Sequence, residues 1–443
     1  MILADANDLA VRRITEAAPS HQRNSVGSPA SSYRGRASLG MILLALTWPL
    51  ASFLARMLTS GIVESVEDAG LKSDAIKIAP HLFFCLCFGL LGIQNDLALR
   101  KAVQLLTEPV MVFFWGTQVF SSVTGAMPWT SLSFVALLFI LFLVARLYLT
   151  LLRDEEILLG LALFSLIAVI AIIPMAVTQF DLLRHREIGN LNSHRLGAVA
   201  MLCGCLSFGW RSKWLRRIGL AAAITTTVLL ESRAALLGLL ASISIVTMIS
   251  VPKNVFRFCA IACVLAAIMQ CSPTAREWKN VVVEKALRFD DPLRGRGSGF
   301  TGRTERWAEA WELAQENLLR GSGPRSHVSL GIRGWSSAHN GYLVALLEVG
   351  LLGTLAIVLL FLGNAKAAVR AAQSSLLGRV LLMSALAFGI RAFFESELLN
   401  SVTVVTVIAV VWLEYPRARG FHRRPPPRSP QPILCGGIAQ ARG

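Results

Sequence analysis

Residues 336–353, SSAHNGYLVALLEVGLLG, set a His-Asn pair directly against an apolar run. From Gly341 to Leu362 the only charge is Glu348. A helix of about 20 such residues spans the hydrocarbon core of a bilayer. His339 and Asn340 therefore stand at the lip of a membrane-crossing segment. A polar pair in that place is either an interfacial anchor or a chemical group held at a membrane surface.

The rest of the chain repeats the pattern. It is 443 residues long, 54% hydrophobic and only 16% charged, where soluble domains carry nearer a quarter charged residues. Mean hydropathy is +0.58. The apolar residues fall in blocks, and we read about twelve spans at 39–58, 76–95, 104–123, 130–151, 156–177, 195–210, 216–231, 233–250, 255–271, 341–362, 378–394 and 400–414. Backbone groups in lipid must be satisfied within the segment, which restricts a spanning chain to helices or a closed barrel. The expected fold is all-α: a polytopic integral membrane protein of about 12 transmembrane helices. A large external helical loop, 272–340, separates the ninth from the tenth, within a transmembrane domain covering 39–414. Residues 1–38 and 415–443 read as disordered basic tails, the second rich in proline. The first is too polar for a cleaved signal peptide.

The net charge of +16 would suggest nucleic acid in a soluble protein. Here it follows from Lys and Arg gathering on cytoplasmic loops. Arg100, Lys101, the segment WRSKWLRR at 210–217, Lys253, Arg257 and the segment 364–379 all fall on one side. That side is the cytoplasm, and it holds both termini. Eight cysteines occur, seven of them in or beside spans, where a thiol acts as a small apolar residue. No disulfide framework and no metal-ligand spacing is visible.

Charges remain on the outer side. Segment 179–194 brings Arg184 and Arg186, with Arg195 at its edge. Glu231 and Arg233 interrupt LLESRAALLGLL, and Arg391, Glu395 and Glu397 interrupt GIRAFFESELLNS. In the long loop, Arg303 opens a stretch, 304–320, in which Trp307, Trp311, Ala314 and Leu318 share one helical face. Glu316 and Arg320 stand at pairing distance along that helix, and GSGP ends it. Plain readings exist for each. Glu231 and Arg233 suit a turn, Arg391 and Glu395 suit an i, i+4 ion pair, and His339 suits an anchor. Together, arginines on one membrane face suit an anion better. A lipid diphosphate carrying a sugar fits: arginines would hold the diphosphate and stabilise it as leaving group. His339 would take the proton of an acceptor hydroxyl.

These residues resemble a known family. GFTGRTERWAEAWELAQENLLRGSG, AHNGYLVALLEVGLLG, ESRAALLGLL and RAFFESELL, in that order over roughly 180–400, are similar to the O-antigen ligase and polymerase superfamily of bacterial surface polysaccharide assembly. The resemblance implies a GT-C-like helical fold with a periplasmic helical cap. It implies metal-independent inverting transfer, without cofactor, from an undecaprenyl-diphosphate-linked glycan in the bacterial inner membrane. It implies His339 as catalytic base, with the catalytic Arg303 and Arg186 on the diphosphate. Arg184, Arg186, Arg195, Arg233, Arg391, Glu395 and Asn340 are the substrate-binding candidates. Relatives often place an Asn near the start of the span after the first Arg loop, whereas here NSHRLGAV offers Arg195, with Asn192 earlier. The diphosphate contact therefore stays open among Arg184, Arg186 and Arg195. The GRT…W and FFES segments look closer to the exopolysaccharide polymerase branch, with membrane lipid and a chain-length regulator or export complex as further partners and no nucleic acid. A ligase moving glycan to lipid A-core is the alternative. A lipid-linked oligosaccharide transporter and a membrane scaffold are the non-enzymatic readings; the first is disfavoured by the lack of half-to-half similarity.

Overall fold

The computed structural model describes residues 38–60, 69–178, 193–230, 232–250, 303–326, 338–395 and 403–420. The span read at 255–271, Arg184, Arg186, most of the long loop and most of both tails lie outside them. The described residues are helical, with no strand among them. The first half of the bundle comprises α1 (Leu39–Ser60), α2 (Ala69–Ile93), α3 (Asp96–Thr107), α4 (Pro109–Thr124), α5 (Pro128–Leu151) and α6 (Asp154–Thr178). After it come α7 (Ser193–Leu206), α8 (Lys213–Leu229) and α9 (Arg233–Ser250). The late elements are α10 (Arg303–Glu316), α11 (Gly341–Ser374), α12 (Leu376–Ala392) and α13 (Val404–Ala418).

Among the described residues, three helices, α5, α6 and α11, are long and apolar enough to cross a membrane. Shorter apolar helices cover Leu39–Ala55, Ile78–Ile93, His194–Gly209 and Arg233–Ile249. The third expected span, 104–123, is divided. Glu108 is extended at the junction, Pro109 opens the next helix, and α3 before it is a separate helix capped by Asn95. A proline disfavours helical backbone at the residue before it and suits the first turn, and here the chain turns. Nor does the second tail begin at 415: α13 runs to Ala418, with Tyr415 and Arg417 buried.

One apolar core runs through the bundle, from Trp48, Phe88 and Phe142 to Phe388 and Val411. Small residues allow the closest helix approaches. A Cβ on Gly197 of α7 would strike the Ser232 side chain, so α7 and the start of α9 touch at backbone range. At one end of the bundle, charge replaces packing. Arg146 of α5 is fully buried, paired with Glu414 of α13 and 3.6 Å from Glu108, while Arg417 reaches Glu108 at 3.0 Å. Taking one partner from such a buried set costs about 3–5 kcal/mol, because the other charge is stranded.

The helix of the opening sequence is interrupted. Within α11, Gly350 has φ 65° and ψ −170°, outside the helical range. The break strands backbone groups that the segment 318–323 satisfies. The carbonyls of Leu347 and Glu348 accept from the amides of Ser322 at 2.9 Å and Gly323 at 2.8 Å. The amides of Leu351 and Leu352 donate to the carbonyls of Leu318 at 2.7 Å and Leu319 at 3.3 Å. Ser121 of α4 adds a hydroxyl donor to the Glu348 carbonyl at 2.7 Å. Non-helical backbone is tolerated at membrane depth where protein satisfies it in this way. Gly321 (φ 72°) and Gly350 admit no side chain, since a Cβ on either would run into the backbone of the other strand of this junction. The segment is thereby locked to α11, and it follows directly on α10.

Candidate active site

The helix break sets α10 across the first turns of α11. Ala310 and Ala314 of α10 pack with Ala338, Val344 and Leu347, flanked by Trp307 and Leu313. The face expected from the 4, 3, 4 spacing is thus only half right. Trp307 and Ala314 turn inward, whereas Trp311 is 46% exposed and Leu318 is exposed too. Nor does Arg320 pair with Glu316; its guanidinium donates to Asn317 Oδ1 at 3.0 and 3.2 Å. Arg303 is the first residue of α10, as the sequence led us to expect.

Three segments far apart in the chain deliver side chains to one carboxylate carried by a fourth. Glu395 sits in the turn beyond α12. Its Oε2 lies 3.3 Å from His339 Nδ1, and its Oε1 lies 3.3 Å from His194 Nδ1 and 3.5 Å from Arg303 Nη2. The two imidazoles stand edge to face across it, with ring centroids 6.5 Å apart. The Glu395 side chain is 7% exposed, whereas those of His194, His339 and Arg303 are each 18–19% exposed. The carboxylate forms the floor of the cluster, and the three basic groups form its rim.

The electrostatics follow from that layering. Burial alone would lift the Glu395 carboxyl. His194, the hydrogen bond with His339 and the nearby Arg391 outweigh burial and hold it well below the usual carboxylate range. Glu395 is therefore an anion at neutral pH. It fixes the His339 ring: Nδ1–H donates to the carboxylate, which leaves Nε2 as the basic nitrogen. His339 itself has φ 51°, the left-handed region. Such backbone in a residue other than glycine is uncommon and concentrates at functional sites.

Asn340 has a different task from the one expected. It is the N-cap of α11, with extended backbone, and its Oδ1 accepts from the amides of Tyr342 and Leu343, each at 3.1 Å. An Asn side chain in that position satisfies amides that the helix itself cannot pair. The cap accounts for Asn340 without a ligand. Arg391 also differs from a surface contact for substrate. It is 1% exposed, and its Nη2 donates to the backbone carbonyl of His194 at 3.1 Å. It anchors the segment that carries His194 and adds positive charge near Glu395. Arg195 and Arg233 are half-buried on the first turns of α7 and α9, at the end where Gly197 meets Ser232.

The cluster thus joins His339, Arg303 and Glu395, each named as a candidate from the sequence, and adds His194, which was not. His194 lies beside Arg195 in a polar stretch, and its signal was there: an imidazole at a helix start on the same face as the other groups.

The family model described as O-antigen ligase matches residues 218–358. That match supports the resemblance to the O-antigen ligase and polymerase superfamily. The matched segment holds Arg233, Arg303 and His339, while His194, Arg391 and Glu395 lie on either side of it. Neither the curated proteins nor the solved structures contain a significant match to the chain.

Proposed function

We propose that this chain is a polysaccharide polymerase of the bacterial inner membrane, with both termini in the cytoplasm. It joins undecaprenyl-diphosphate-linked repeat units at the periplasmic face by inverting glycosyl transfer. The observation that carries this reading is the His339–Glu395–Arg303 cluster. Glu395 holds His339 with Nε2 ready to accept the proton of an acceptor hydroxyl, the arrangement by which a carboxylate orients a catalytic imidazole. Arg303, at the N-terminus of a helix, meets the diphosphate where the helix dipole also favours an anion. As the bond from the anomeric carbon to the diphosphate breaks, Arg303 stabilises the growing negative charge. Arg195 and Arg233 supply further positive charge to the donor, together with Arg184 or Arg186. Buried Arg391 supports the cluster from beneath.

A ligase reading is favoured by the description of the matching family model. The chemistry is the same in both, and only the acceptor differs: the end of another lipid-linked chain, or lipid A-core. A transporter would need no proton acceptor beside an arginine at one face.

The test is a strain carrying His339→Ala, with membrane abundance verified, and a gel of its surface glycan and lipid-linked pool. Single lipid-linked units with no long chains support the polymerase. Long lipid-linked chains that stay unattached support the ligase. A normal glycan at normal protein level overturns the transferase reading.

A further inference from the structure

Glu395 holds two imidazoles, one on each oxygen, and the transfer just described uses only one of them. We propose that His194 is a second catalytic residue, the general acid that protonates the departing lipid diphosphate. This rests on the transferase reading above.

The geometry carries it in three ways. First, separation: in an inverting displacement the acceptor oxygen and the leaving oxygen lie on opposite sides of the anomeric carbon. The acid and base of inverting glycosidases accordingly stand about 6.5–9.5 Å apart. The His194 and His339 rings are 6.5 Å apart by centroid. Second, exposure: His194 presents as much surface as His339 and Arg303, 19% against 18% and 19%, above a floor that is nearly closed. A histidine that merely filled space would be covered. Third, orientation: both rings turn Nδ1 to Glu395, so Nε2 is the reacting nitrogen of each.

The step balances. The acceptor O–H bond breaks, its proton moves to His339 Nε2, and its oxygen bonds the anomeric carbon. The bond from that carbon to the diphosphate breaks, with the electron pair going to the diphosphate oxygen, which takes the proton of His194. The lipid diphosphate departs protonated. His339 then holds the proton that His194 lacks, and its return across Glu395 or through water restores the pair. The charged groups around His194 are Glu395 in the turn beyond α12, Arg391 at the end of α12 and Arg303 from α10, with Arg195 next to it in sequence. His339, which precedes α11, is the other imidazole against Glu395.

The experiment uses the full chain in membrane vesicles supplied with lipid-linked saccharide extracted from cells lacking the protein. Release of polyprenyl diphosphate is followed from about pH 5 to 9, the range in which imidazoles titrate. Wild type gives a bell. His194→Gln lowers kcat by about 10²-fold or more, the contribution of one general acid. It leaves KM for the lipid donor little changed and abolishes the alkaline decline. His339→Gln abolishes the acidic limb instead. Added imidazole partly restores His194→Ala. Where His194→Gln lowers membrane abundance, rates are normalised to protein and His194→Asn is taken through the same profile. A His194→Gln rate close to wild type, or a loss that leaves the alkaline limb in place, overturns the role of His194 while leaving the transferase intact. If wild type itself releases no polyprenyl diphosphate, the transferase reading falls and this proposal falls with it.

Discussion

Glu395 Oε2 lies 3.3 Å from His339 Nδ1, across 56 residues of chain. One residue lies in the turn beyond α12 and the other precedes α11, so their meeting depends on the packing of those two helices. Replacing Glu395 by Gln keeps the shape and removes the charge that orients the ring. Transfer is expected to fall by about 10²–10⁴-fold, the range over which such groups act, with protein still present in the membrane. Lipid-linked saccharide turnover in isolated membranes checks this.

The same carboxylate gives a signed pH dependence. Its folded pKa is depressed, so its contacts stabilise the fold fully above the ordinary carboxylate value of about 4. They are lost as pH falls through the lower, folded value. The thermal midpoint of wild type should therefore exceed that of Glu395→Gln at pH 7, and the gap should narrow on acidification below about pH 4. A gap that widens in acid would contradict the assignment of Glu395 as a buried anion.

Asn340 separates capping from binding. Asn340→Ala should cost about 1 kcal/mol of stability, the usual worth of an N-cap, and leave donor KM within a few-fold. Asn340→Asp, which also caps, should retain the stability. Thermal midpoints and turnover of the two variants decide it.

The helix break makes Gly321 and Gly350 intolerant of any side chain. Alanine at either collides with backbone across the junction and must hold a disfavoured φ, a strain of about 1–3 kcal/mol before the collision is counted. Both variants should show a lower thermal midpoint in detergent. Gly363, where a Cβ meets nothing within 4 Å, should accept alanine without loss.

Arg146 and Glu414 provide the contrast far from the cluster. Either one changed to alanine strands a buried charge, with a loss of about 3–5 kcal/mol. Membrane abundance should drop, and activity per molecule should not. Quantified immunoblots beside turnover separate the two.

Much of this was legible in the residues. Apolar blocks gave away the helices, because lipid leaves a spanning backbone few other forms. His339, Arg303 and Glu395 each stood out as polar groups at one face. Their convergence on a single carboxylate did not, since the contributing segments are separated by long stretches of chain. His194 stayed hidden beside the more conspicuous Arg195. The break at Gly350 was invisible because LLEVGLLG reads as an unbroken apolar run, and its partner segment lies some thirty residues earlier. Arg146 was concealed for a related reason: a lone charge inside an apolar block does not disclose Glu414 and Glu108 as its partners.

The most direct measurement follows the lipid donor itself. Full-length protein in lipid nanodiscs is given lipid-linked saccharide extracted from cells lacking it, and polyprenyl diphosphate release is compared between wild type and His339→Gln. Release coupled to a longer glycan by wild type, reduced about 10²-fold or more in the variant at unchanged donor binding, is the expected result. Equal release by both proteins would contradict the assignment of His339 as the base.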